Sequence, residues 1–327
     1  LDSPKLQRLL WADSGSAGII KALWCAQHYQ PDKPIILATR HGFHGKKGLA
    51  GDTTGAESEN PNVRFISFPM YEHNETDLDT PEGQAAKAFY QNELNALWEE
   101  FPNKICALIT EPYLGGAGSF HPPTWYLQLL NTWCEEHNVT FILDEVQSCH
   151  GRTGEMYAFQ KHGIQPDMVV LGKGVGNGEP VAVTIGSEAL IESLDYGEGS
   201  DTYSGNPHAC AAILAVFDAY EKYAVVENCQ KMSPIMMEGL QQLALDFDFV
   251  TEVRGEGLVF GVEMHDYGGK TAGEMANAAV RACYDQGLHL MGPLSGKVLR
   301  VSPPLIITEE QVKEGLTKMR QAFEQIS

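Results

Sequence analysis

The sequence predicts an α/β protein with a mostly parallel central sheet covered by helices, followed by a smaller α+β domain. Three observations carry this expectation. Short apolar runs of strand length alternate with helical stretches through the first two thirds of the chain, the pattern of strand–helix–strand units with strands buried on both faces. The alternation ends near residue 225, where long helical segments and a glycine-rich strand pair take over. The length of 327 residues suits two domains.

Taken in order, "GSAGIIKALWCAQHY" is a helix opened by small residues, and "PIILAT" is a short buried strand. "NVRFISF" reads as a second strand. "EGQAAKAFYQNELNALWEEF" has amphipathic spacing and leads into the strand "KICALIT". A helix over 124–138 feeds "TFILDEV", and "DMVVLG" and "VAVTIG" are two more apolar strands. One long helical stretch is expected over about 207–245. The strand-like "FVTEVRGEGLVFGVEM", a helix near 273–286, the strand-like "KVLRVSPPL" and a last helix over 309–326 follow. The expected division is a large domain over 1–225 and a small C-terminal domain over 226–327.

The net charge of −20, from 43 acids against 23 bases, argues against nucleic acid and anionic membrane as partners. No apolar run approaches the roughly 18 residues of a membrane span. The seven cysteines are odd in number and lack C-x-x-C spacing, which points to a reducing, cytoplasmic setting. The chain opens "LDSPKLQRLL" without methionine, so an upstream piece is expected to be missing or removed.

Ligands of such sheets sit beyond the carboxyl ends of the strands. Glu111 in "ALITEP", Asp144 in "FILDE" and Lys173 in "VVLGKG" all fall there. A buried acid without a partner costs several kcal/mol or takes up a proton, so Asp144 calls for a cationic partner. Lys173 alone reads as a surface lysine. Beside two acids, with glycines that let the chain turn sharply, it becomes a candidate for a Schiff base with an aldehyde. "DSGSAG" opens the first helix with small residues, suited to a phosphate at the helix N-terminus or to a plain N-cap by Ser14 or Ser16. Phe43 in "HGFHG" suits stacking on a planar ring. The two histidines around it lack a cysteine or acid to complete a metal site, so no metal is expected, and His44 is assigned no chemistry. Glu145 is expected to point away, toward solvent or a polar contact.

A ring, a phosphate, an aldehyde on lysine and a ring nitrogen facing an acid together describe pyridoxal 5'-phosphate, with Asp144 as partner of the protonated ring nitrogen. Rival motifs fail. A P-loop ending in the "GKT" of "YGGKT" would need its first glycine where Met264 stands, and the dinucleotide fingerprint breaks at Asn177 and at Phe260.

These residues resemble the class III (ω-amino acid) pyridoxal-phosphate-dependent aminotransferases of fold type I. The likeness spans nearly the whole chain and rests on "DEVQSCHGRTG", "ITEPYLGGAG", "PDMVVLGKGVGNGEP", "TYSGNPHACAA", "VRGEGLVFGVEM" and "LRVSPPL". It implies a Schiff-base role for Lys173 and the ring-nitrogen contact for Asp144. It implies Val146 against the ring face opposite Phe43, Gln147 near the ring hydroxyl, and Gly15 and Ser16 on the phosphate. It further implies a homodimer in which Thr202 reaches the neighbouring subunit's phosphate, and Arg300 as a clamp for a substrate carboxylate. The implied activity moves an amino group from an amine or ω-amino acid to a 2-oxo acid, with Lys173 carrying the proton.

The chain departs from the family in three places. Asp13 stands where asparagine is usual, Gly116 matches a glutamate that guards the carboxylate-binding arginine in some members, and only thirteen residues precede Ser14. The last departure gives the expectation of a fragment or a shortened relative. Alternatives on the same fold are a phospholyase, for which "GNGEP" speaks, and an aminomutase, disfavoured by Gln147 where methionine is usual. A non-catalytic homologue that binds the cofactor and a nicotinamide dehydrogenase are the readings from other classes.

Overall fold

Strands with no polar face need cover on both sides, and the apolar runs of the first two thirds become the centre of one sheet. The computed structural model describes residues 3–293 and 295–327. It divides into two compact units. The first comprises residues up to Tyr113, Pro122–His150 and Tyr157–Asp218; the second comprises Leu114–His121, Gly151–Met156 and Ala219–Ser327.

The first unit holds strands β1 (Arg8–Ala12), β2 (Ile35–Thr39), β3 (Val63–Ile66), β4 (Ile105–Thr110), β5 (Thr140–Asp144), β6 (Met168–Leu171) and β7 (Ala182–Gly186). Their order is β1-β7-β6-β5-β4-β2-β3. The run β6-β5-β4-β2-β3 is parallel, and β7 is antiparallel to β6 and β1. Every residue of β2, β4, β5, β6 and β7 is buried. β1 is a strand that the sequence reading lacks. It is an edge strand with one neighbour and exposed outer residues, so no buried run marks it.

The helices of this unit are α1 (Gly15–Tyr29), α2 (Gly48–Asp52), α3 (Pro81–Glu100), α4 (Thr124–His137), α5 (Ala158–His162) and α6 (Glu188–Ile191), and α7 (Pro207–Lys222) begins in it and ends in the second. Buried residues of α1, α2 and α6 share one core with Ile36, Ile109, Ile142 and Val170 of the sheet. Phe141 and Leu143, which alternate with Ile142 along β5, are equally buried. α1 starts cleanly because Ser14 accepts a hydrogen bond from the Ala17 N–H. It is fastened to the sheet by Thr184 of β7, whose hydroxyl donates to the Gly18 carbonyl at 2.6 Å.

The single helical stretch expected over 207–245 is in fact two helices, α7 and α8 (Val225–Asp246). Ala224 between them has a φ of 45°, a left-handed conformation that ends the helical path. In the second unit, β8 (Val250–Glu256), β9 (Val259–Met264) and β10 (Val298–Val301) form an antiparallel sheet in the order β10-β9-β8. Helices α8, α9 (Ala272–Asp285) and α10 (Glu309–Glu324) pack with it around Met232, Leu240, Phe260, Val262 and Phe323. Capping boxes at Thr271/Glu274 and Thr308/Gln311 set the starts of α9 and α10.

Among the described residues no helix is long and apolar enough to cross a membrane. The seven cysteines are unbridged. Thr184→Val keeps the shape and removes the buried donor. It should lower unfolding free energy by about 1 kcal/mol, read from urea unfolding; an unchanged midpoint would show that this bond does not fasten α1.

Candidate active site

The parallel strands end along one edge, and their carboxyl ends carry the polar residues that the core cannot hold. Asp144 closes β5 and pairs in register with Val170 of β6, three residues before Lys173. The Glu145 N–H donates to the Val170 carbonyl at 3.0 Å. Asp144 and Lys173 therefore leave neighbouring parallel strands at the same end.

Asp144 is buried, with 4% of its surface exposed. Its Oδ1 accepts from the Val146 N–H at 3.0 Å, and its Oδ2 lies 2.8 Å from His44 Nδ1. The reading of His44 as a loop histidine without chemistry is corrected: it is as buried as Asp144 and is a side-chain partner of this acid. Sequence reading missed His44 because its contact lies 100 residues away in the chain. The signal available was the second histidine of "HGFHG" beside an acid at a strand end.

Of the two surroundings expected for Glu145, solvent or a polar contact, the structure has the second, and the side chain is fully buried. Its two oxygens accept from the Ala158 and Phe159 N–H groups at 2.8 Å, and from the Ser148 hydroxyl at 3.2 Å. Burial pushes its carboxyl up to about 7, against the pull of those donors. Glu111, buried after β4, accepts from the Phe43 N–H at 2.9 Å and so holds the "HGFHG" loop. The Phe43 ring itself is 47% exposed.

Lys173 is exposed and opens a short 3-10 turn, Lys173–Val175. The sharp turn assigned to its flanking glycines falls on Lys173 itself, at φ 42°, while Gly172 is extended. A lysine held in the left-handed region is strained, a condition that clusters at functional sites. Burial drives the nearby His150 down to about 4, so it is neutral near pH 7.

Gly15 begins α1 where a Cβ would lie 2.8 Å from Val146 Cγ1. Only glycine lets the helix start sit this close to the residue after Glu145. No described group accepts from the first-turn N–H groups of Gly15 and Ser16, and the helix end is positively polarised. Asp13 is exposed and accepts from the Ser14 hydroxyl at 3.3 Å. Val146 and Gln147 are half-buried, and Tyr113 donates to Gln147 Oε1 at 3.1 Å. Thr202 is exposed in the turn before α7. Arg300, in β10 of the second unit, is half-buried and donates to the Gly115 carbonyl at 2.9 Å. No group of histidine, cysteine and acid residues suited to a metal ion occurs among the described residues.

The chain matches the family Aminotransferase class-III over residues 2–323. This protein belongs to the class-III aminotransferases. An acetylornithine aminotransferase of Methanopyrus kandleri is 33% identical over 323 residues, covering 98% of this chain and 76% of the relative. One from Vibrio parahaemolyticus is 30% identical over 326 residues, covering 97% and 75%. An amine transaminase from an uncultivated Pseudomonas species, solved with pyridoxal phosphate bound, is 27% identical with a TM-score of 0.86, covering 98% of this chain and 78% of that one.

The fold is therefore that of the fold-type I pyridoxal-phosphate transaminases. As a class-III aminotransferase the protein uses pyridoxal phosphate to move an amino group from a donor to a 2-oxo acid. The dehydrogenase and scaffold readings give way to this one. The residues at the strand ends fit the cofactor: helix N–H groups without acceptors suit a phosphate, and a buried carboxylate suits a protonated ring nitrogen.

The folded-state value of Glu145 lies above the ordinary 4.5, so the fold favours the protonated carboxyl. Its contribution to stability is complete below about pH 4.5 and is lost as pH rises through about 7. Across that window the wild type should lose about 3 kcal/mol of unfolding free energy relative to Glu145→Gln. Denaturant titrations from pH 4.5 to 8 measure this; parallel profiles for the two proteins would contradict it.

Proposed function

We propose that the protein is a homodimeric ω-transaminase whose donor is an amine or an ω-amino acid, and that it works in the cytoplasm. The observation that carries the site assignment is the placing of Asp144 and Lys173 at the same ends of adjacent parallel strands. The names of the acetylornithine aminotransferases support a donor with a terminal amine and a carboxylate.

Bound pyridoxal phosphate would supply an aldehyde reactive toward amines and a ring that can hold electrons. The chain does the rest. Lys173 holds the cofactor between turnovers, then takes the proton from the donor carbon with its amine and returns it as a general acid. Asp144, fixed by His44 and the Val146 N–H, keeps the ring nitrogen protonated. Gly15 and Ser16 hold the phosphate through backbone N–H groups and a hydroxyl. Phe43 and Val146 would hold the ring from its two faces, and Gln147 would serve its hydroxyl. Thr202 reaches the neighbouring subunit's phosphate. Arg300 binds the donor carboxylate, for which its planar fork is suited. In this reading residues 1–225 act as the cofactor domain and 226–327 as the smaller domain that carries Arg300.

Lys173→Ala should remove the lysine-linked cofactor absorbance near the visible edge and reduce amino transfer at least about 1,000-fold, the loss of a general acid–base group. Retention of that absorbance would refute the assignment. Arg300→Lys should raise KM for donors bearing a carboxylate about tenfold, one bidentate bond's worth, and leave plain amines unaffected. Equal losses for both donor types would show that Arg300 does not read the carboxylate.

A further inference from the structure

Lys21 lies on α1, six residues after Gly15, and only 3% of its surface is exposed. A lysine is seldom so buried without a dedicated partner. Its ammonium donates to the Trp11 carbonyl, near the end of β1, and to Asp201 Oδ2 at 2.5 Å. Asp201 also accepts from the Ser204 hydroxyl at 2.8 Å. Burial works to raise the Asp201 carboxyl, yet the hydrogen bonds from Lys21 and Ser204 hold it below its ordinary value.

The other end of the same turn is held too. Gly205, at φ 64°, sits where a Cβ would lie 2.5 Å from Trp11 Cδ1. Asn206 accepts from the Ala209 N–H at 3.0 Å at the start of α7. The turn over 201–206 is thus bonded to α1 at Asp201 and lies close against Trp11 of β1 at Gly205. Between these points, Thr202 is exposed and Tyr203 is 79% exposed.

We propose that Lys21 and Asp201 form a latch that positions Thr202 for the neighbouring subunit's phosphate, so that Lys21 serves the cofactor of the other protomer rather than that of its own. This rests on the proposed reach of Thr202 across the dimer. Lys21 is a positioning residue. The helix whose start holds one phosphate also braces, a turn and a half later, the segment that completes the other.

Mixed dimers with a single lysine-linked cofactor separate this latch from a local role in α1. In the first dimer one chain carries Lys21→Met with Lys173→Ala and its partner is wild type. In the second, one chain carries Lys21→Met alone and its partner Lys173→Ala alone. The readout is release of the lysine-linked cofactor into cofactor-free buffer, followed by its absorbance, against a reference of wild type paired with Lys173→Ala. The first dimer should release cofactor about tenfold faster, the effect of one lost charged hydrogen bond, and the second at the reference rate. Faster release from the second dimer with no change in the first would overturn the latch, as would equal rates in both.

Should Lys21→Met fail to fold, Asp201→Asn in the same two arrangements replaces it, since it keeps side-chain size at a partly exposed position. Unchanged release from its first arrangement would also overturn the latch. A third dimer, with Thr202→Ala and Lys173→Ala on one chain and a wild-type partner, tests the parent reading by itself. Unchanged release there overturns the reach of Thr202 whatever Lys21 does, whereas faster release there with no effect of Lys21→Met overturns the latch alone.

Discussion

One buried carboxylate organises the first unit. Asp144 stands at the end of a strand that is apolar throughout, with protein on all sides and little water to solvate a charge. The fold meets that cost with the Val146 N–H and the His44 ring. Each carboxylate oxygen can accept more than one hydrogen bond, so a protonated ring nitrogen can be added without displacing either donor. Much of the loop geometry nearby follows from keeping these donors in place: Glu111 holds the Phe43 backbone next to His44, and Glu145 ties the chain after β5 to the start of α5.

The two neighbouring acids show how position at a strand end divides labour. Asp144 and Glu145 are adjacent in sequence and both buried, yet they take different sets of donors. Glu145 meets two backbone N–H groups and a hydroxyl of its own chain, an internal brace. Asp144 meets one N–H and one imidazole at the strand-end edge, beside the turn that carries Lys173. Asp144 is the last residue of β5 and Glu145 the first beyond it; in the proposed reading the first serves the cofactor and the second the fold.

The sheet and the strand-end residues were legible in the sequence because their signals are local. Apolar runs such as "ICALIT" and "TFILD" declare buried strands, and an acid or lysine just after such a run declares an edge. β1 was not legible, since an edge strand with exposed outer residues carries no buried run. Nor was the break between α7 and α8, which rests on the left-handed backbone of Ala224, a residue that normally favours helix. His44 and Lys21 share a third reason. Their partners Asp144 and Asp201 lie 100 and 180 residues away, and nothing in a local window announces a side-chain hydrogen bond at that separation.

The central proposal is that the Asp144 carboxylate keeps the ring nitrogen of the bound cofactor protonated. Nitrogen-15 NMR of the protein loaded with ring-labelled pyridoxal phosphate reads that state directly. A protonated ring nitrogen near pH 8, lost in Asp144→Ala, is the result the account predicts. An unprotonated nitrogen in the intact protein, or the same shift in both proteins, would contradict it.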